Sequence, residues 1–149
     1  MSDDLPRSAP KPIELIDRAG LTRLGEFGTP EDVQSAWKAF SSVSTAPLER
    51  ISDALEEVSL STLEQAWNAL AAELGVISST GDFLLTVSGE GTFGLPWFHV
   101  RTAGRLAIRD LGMYPGEPEF IASSLDRSAS IAVSTEESDY WILVARNEA

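Results

Sequence analysis

Tyr140-Trp141-Ile142-Leu143-Val144-Ala145 is an unbroken run of six apolar or aromatic residues, and it closes the segment Ser130 to Arg146. Side chains of a strand alternate between two faces, so a run with no polar member buries both. Only an interior strand needs that. Upstream, Ile131 and Val133 start a second strand, and Thr135-Glu136-Glu137-Ser138-Asp139 supplies a polar turn. The segment reads as a hairpin whose last strand lies inside a sheet. The rest of the chain has to cover that strand from two sides.

Working back from the hairpin, the pattern continues as strands. Phe83 to Val87 is one, Trp97 to Thr102 a second, and Arg105 to Leu111 a third, with Ala103-Gly104 at the turn. Pro115, Gly116 and Pro118 mark a loop, and Glu119 to Leu125 reads as a short helix with Phe120, Ile121 and Leu125 inward. Before Gly75 the pattern is helical. Thr29, Pro30 and Asp32 supply an N-cap, a first-turn proline and a capping box, and Val33, Ala36, Trp37 and Phe40 form one apolar stripe. Leu48, Ile51, Leu55 and Val58 suggest another helix. Ser61-Thr62-Leu63-Glu64 opens a further one through Leu63, Ala66, Trp67, Leu70 and Leu74. Ile13 to Phe27 reads as one or two short helices broken by glycines.

The expected architecture is therefore α+β. N-terminal helices precede a mainly antiparallel five-stranded sheet, in the order α-βββ-α-ββ. Residues 1–12, with prolines at 6, 10 and 12, read as a disordered tail. Residues 13–149 read as a single domain, helical over 13–75 and sheet over 82–146, with Ser41 to Ala46 as a linker. The stripe Val33-x-x-Ala36-Trp37-x-Ala39-Phe40 matches Leu63-x-x-Ala66-Trp67-x-Ala69-Leu70. Two amphipathic helices with a tryptophan in the stripe coincide readily, and nothing else repeats between them.

Composition narrows the chemistry. There is no cysteine, which excludes disulfides, thiolate nucleophiles and cysteine-held metals. The net charge is −12 and the acid is spread along the chain. Such a field repels phosphate backbones and favours basic partners, so the expected partner is a protein with a basic surface or an unfolded segment. No nucleic acid is expected. No membrane segment reaches spanning length, and the acidic N-terminus does not read as a signal peptide, so a cytoplasmic protein is expected.

The glycine motif Gly89-x-Gly91-x-x-Gly94 follows a strand, but Pro96 and the strand Trp97-Phe98-His99-Val100 come next where a dinucleotide site needs a helix. A kinase glycine loop would need a later lysine, and none follows Lys38. No cofactor is expected. His99 is the only histidine, and neither a metal spacing nor a Gly-x-Ser-x-Gly elbow accompanies it.

If the second and third strands pair across Thr102-Ala103-Gly104, then Arg101 faces Arg105, His99 faces Ala107 and Trp97 faces Arg109. Trp97, His99, Arg101, Arg105 and Arg109 would then share one side of the sheet. A tryptophan, a histidine and three arginines are residue types that enrich interfaces, so these five are the candidate binding residues. The bland alternative is a solvated face whose arginines pair with the chain's own carboxylates.

Ser128-Ala129-Ser130-Ile131-Ala132-Val133 and Tyr140-Trp141-Ile142-Leu143-Val144-Ala145-Arg146 resemble the fourth and fifth strands of type III secretion chaperones and their YbjN-like relatives. The succession from Ser61 to Arg146 also looks like that fold. The resemblance implies a homodimer that binds an unfolded segment of a client without catalysis. The first functional expectation is accordingly a non-enzymatic, acidic protein-binding module of the chaperone or regulator kind. The second is an immunity protein neutralising a basic toxin. The third is a small-ligand protein or hydrolase using His99.

Overall fold

A computed structural model describes residues 10–41 and 46–146. The expected tail up to residue 9 and positions 42–45 of the expected linker lie outside the described residues. The elements in chain order are α1 (Pro12–Arg18), β1 (Thr22–Phe27), α2 (Pro30–Phe40), β2 (Glu49–Ser52), α3 (Glu56–Leu74), β3 (Asp82–Val87), β4 (Trp97–Arg101), β5 (Phe120–Ser123), β6 (Ala129–Thr135) and β7 (Asp139–Arg146).

All seven strands form one sheet in the order β1-β4-β3-β5-β6-β7-β2. Every pairing is antiparallel. The class is α+β, as expected, but the sheet has seven strands and not five. After α3 the chain runs through β3 to β7 with no intervening α-helix, only a short 3-10 turn over Thr92–Gly94. The C-terminal hairpin forms as read, Ile131 opposite Val144 and Val133 opposite Ile142. β7 is interior because β2 pairs along its far side, Arg50 opposite Trp141 and Ile51 opposite Tyr140.

Helices cover both faces. On one, Leu60, Leu63, Trp67 and Ala71 of α3, with Leu15 and Ile16 of α1, pack on Phe83, Leu85, Phe98, Val100, Phe120, Ile131 and Ile142. Trp67 is fully buried, edge-on to Phe120 with ring centroids 5.5 Å apart. On the other face, Val33 of α2 sits on Leu84, Trp97, Ile121, Ala132 and Leu143, flanked by Trp37, Phe40 and Trp141. The matching stripes of α2 and α3 thus serve opposite sides of one sheet.

α2 starts where its cap predicts. The Thr29 hydroxyl accepts from the Asp32 N–H at 3.3 Å, and the Asp32 carboxylate accepts from the Thr29 N–H at 3.0 Å. α3 starts at Glu56, five positions before the expected Ser61 cap. Glu56 and Glu57 place negative charge at the positive end of its dipole, and Ser59 and Leu60 are already buried. It stops at Gly75, whose φ of 70° only glycine adopts cheaply.

The division into a helical part 13–75 and a sheet part 82–146 does not hold. β1 and β2 both come from the earlier half and form the two outer strands. The helix expected over Leu48, Ile51, Leu55 and Val58 is replaced by β2, a short connection and the first turn of α3, and Leu48, Leu55 and Val58 are 59%, 69% and 61% exposed. The helix expected over Glu119 to Leu125 is β5, which is buried on both faces between β3 and β6. Residues 10–12 do not belong to a tail. Pro12 is a buried first residue of α1, and the Pro10 carbonyl accepts from the Glu90 N–H at 3.0 Å.

Arg105 to Leu111 is not a strand. Leu106, Ile108 and Leu111 are buried, but their apolar side joins the α3 core instead of a sheet. Asn68 takes the place of a neighbouring strand. Its side-chain oxygen accepts from the Leu106 N–H at 2.8 Å, and its amide donates to the Leu106 carbonyl at 3.0 Å. The Glu64 carboxylate accepts from the Ile108 N–H at 3.3 Å. β4 pairs with β1 and β3, so the expected hairpin across Thr102-Ala103-Gly104 is absent.

Candidate functional site

The five candidate binding residues do not share a surface. Arg105 and Arg109 lie against α3, paired with Glu64 at 3.1 Å and Glu57 at 3.0 Å. Trp97, His99 and Arg101 lie on the α2 side of β4. Trp97 is fully buried, with the Arg127 guanidinium 4.7 Å from its ring centroid. His99 and Arg101 converge on Asp82, the first residue of β3. The His99 Nε2 lies 2.8 Å from one carboxylate oxygen, and the Arg101 Nε donates to the other at 2.6 Å.

Those contacts explain the electrostatics of Asp82. The hydrogen bond from Arg101, then that from His99, holds its carboxyl at about 2, well below the usual carboxylate range, against the opposing effect of burial. A histidine on an ionised aspartate is two-thirds of a nucleophile-activating set. Among the described residues no hydroxyl is bonded to the His99 ring, so the set stops at two members. The three side chains bind β3 to β4 across the sheet. Among the described residues no cluster of histidines, aspartates and glutamates has the arrangement of a metal site.

A well-defined concavity lies elsewhere. A groove of about 670 Å³ runs over the β6–β7 hairpin on the α2 side. Its walls are Trp37 and Phe40 of α2 and Trp141 of β7, its floor includes Ala132 and Leu143, and Arg50 of β2 closes one side. Glu119 and Glu136 bring carboxylates to it. Each element arrives for a local reason. The Trp37 indole N–H donates to the Thr86 hydroxyl at 3.1 Å, which fixes the α2 wall to β3. The Trp141 indole N–H reaches the Asp139 carboxylate at 3.4 Å. β2 pairing sets Arg50 beside Trp141, with its guanidinium 4.9 Å from the ring centroid.

Glu119 is half-buried. Burial first, then the charges of Glu136 and Glu117, pushes its carboxyl above its ordinary value. Glu136 bonds the Ser134 hydroxyl. Among the described residues no lysine, arginine or histidine comes within 4.0 Å of either carboxylate. Glu136 also lines a second concavity of about 370 Å³ with Asp53, Glu56, Glu117 and Glu137. Glu136, at the β6–β7 turn, lines both, although the aromatic groove is on the α2 face and the acidic one, with Glu56 of α3 and Tyr140, is on the α3 side.

Sequence reasoning placed Trp141 on an interior strand and noted the acidic turn at Glu136. The sequence carries no local signal that Trp37 and Phe40 wall a groove, and Arg50 falls within the span expected to be helical from Leu48 to Val58. Hairpin register alone signals that Trp141 faces away from Ile142. Nothing local signals that α2 packs beside it. The chain matches no family model, no curated protein and no solved structure. Among the described residues no helix is long and apolar enough to cross a membrane.

Proposed function

We propose that this protein is a non-enzymatic binding module for a basic protein segment, which lies in the aromatic groove and runs over the β6–β7 turn onto the acidic one. The observation that carries this reading is that one turn residue, Glu136, lines both the aromatic and the acidic concavity, in a chain of net charge −12. Aromatic walls supply contact area at low entropic cost, and fixed indoles need little rearrangement on binding. Carboxylates without a cationic neighbour gain most from a partner that brings one.

A groove suits an extended chain better than a flat folded surface, which favours a chaperone- or regulator-like role. The immunity reading draws on the same charge. The test is calorimetric titration of the full chain with peptides of equal length and differing charge. Basic peptides should bind, with affinity falling as salt rises. Equal binding of neutral apolar peptides, or no dependence on salt, contradicts the proposal. Preference for a folded cationic protein over its unfolded segment would select the immunity reading.

A further inference from the structure

We infer that the aromatic groove is a receptor for an arginine side chain of the partner, whose guanidinium lies on Trp141 beside Glu119 and Glu136 in place of the chain's own Arg50. The inference rests on the proposed function and specifies the residue that the groove recognises.

Arg50 shows what the groove accommodates. Its planar guanidinium already lies over the Trp141 ring, at 4.9 Å from the centroid. Arginine is the cation best suited to a ring face, because its flat, weakly hydrated head can stack while its edges still donate. Arg50 is exposed, and among the described residues it has no carboxylate within 4.0 Å, so the ring is its main attachment. It sits on β2, a four-residue edge strand, and a competitor can displace it into solvent without disturbing the core.

The complementary groups lie in the same groove. Glu119 and Glu136 both line it, and among the described residues neither has a cationic group within 4.0 Å. An incoming guanidinium would offer them the fork of donors that matches a carboxylate. The half-buried Glu119 gains most, because burial and two neighbouring acids now disfavour its charge. Both indoles are tied by their N–H groups, so the receiving surface exists before the ligand arrives.

The test uses a basic peptide carrying one arginine, with that residue exchanged for lysine or for the neutral isostere citrulline in the two control peptides. Binding to the full-length chain is read by calorimetry. The arginine peptide should bind at least about tenfold more tightly than the citrulline peptide and more tightly than the lysine peptide. Arg50→Ala, which removes the internal competitor, should tighten the arginine peptide by roughly three- to tenfold. Glu119→Gln should weaken it. Circular dichroism and the thermal midpoint confirm that each variant is folded, and Arg50→Lys serves as the conservative variant. Weaker or unchanged binding to Arg50→Ala, or equal binding of arginine and citrulline peptides, overturns the inference. If basic peptides still bind with salt dependence in that case, the broader function survives. If no basic peptide binds under any condition, the broader function fails as well.

Discussion

The side-chain amide of Asn68 pairs with the Leu106 peptide through both of its polar ends, an N–H to oxygen bond of 2.8 Å and an N–H to carbonyl bond of 3.0 Å. A helix side chain thus satisfies a buried backbone that would otherwise need a strand beside it. Asn68→Ala should leave both Leu106 groups without partners and cost about 2–3 kcal/mol. Urea unfolding measures it. A loss under about 0.5 kcal/mol would mean that the segment finds other partners.

Asp82 makes acid stability a local test. Its carboxyl is held at about 2 by Arg101 and His99. An acid whose native value lies below its unfolded one adds stability that is complete above the unfolded value and lost as pH falls through the native one. The loss therefore spans pH of about 4 down to about 2. Asp126, also held at about 2, by the Ser128 hydroxyl first, titrates in the same window. Asp82→Asn should lower the thermal midpoint at pH 6 and flatten the acid limb between those values. An unchanged limb would show that the cluster does not hold β3 to β4.

Trp67 tests the core. It is fully buried against Phe120 at the centre of the α3 face. Trp67→Ala should cost about 3–5 kcal/mol, read from the denaturant midpoint. Ser35→Ala, on the exposed side of α2, should change little.

Gly112 tests the loop that carries Glu117 and Glu119. A Cβ there would run into the Glu117 carbonyl oxygen, a backbone atom that cannot swing aside. Gly112→Ala should destabilise the chain by more than about 1 kcal/mol and weaken peptide binding, because Glu119 reaches the groove from this loop. Gly104→Ala, with open space around its Cβ, is the control.

Legibility followed burial. The C-terminal hairpin could be read because both faces of β7 are apolar, and α2 because its cap and stripe agree. β1 could not be read. All six of its residues are exposed and a bulge between Arg23 and Gly25 breaks its register, so no alternation exists to detect. β2 has only four residues. Phe120-Ile121-Ala122 is a short apolar run, which periodicity cannot assign to strand or helix, and the neighbouring strands decided it. Leu106 and Ile108 alternate as a strand would, but Asn68 and Glu64 answer their backbone from a helix 38 and 44 positions away. The groove was illegible for the same reason, since α2, β2 and β7 meet only once the sheet order is known.

The groove's role in binding is tested most directly through the indole N–H resonances. The chain has four tryptophans. Trp37 and Trp141 line the groove, whereas Trp67 and Trp97 are fully buried elsewhere. In a nitrogen-15 correlation spectrum, titration with a basic peptide should shift the Trp37 and Trp141 signals and leave those of Trp67 and Trp97 in place. Movement of Trp97 with Trp37 and Trp141 unmoved would put the binding surface at the His99 end of the sheet and contradict the account.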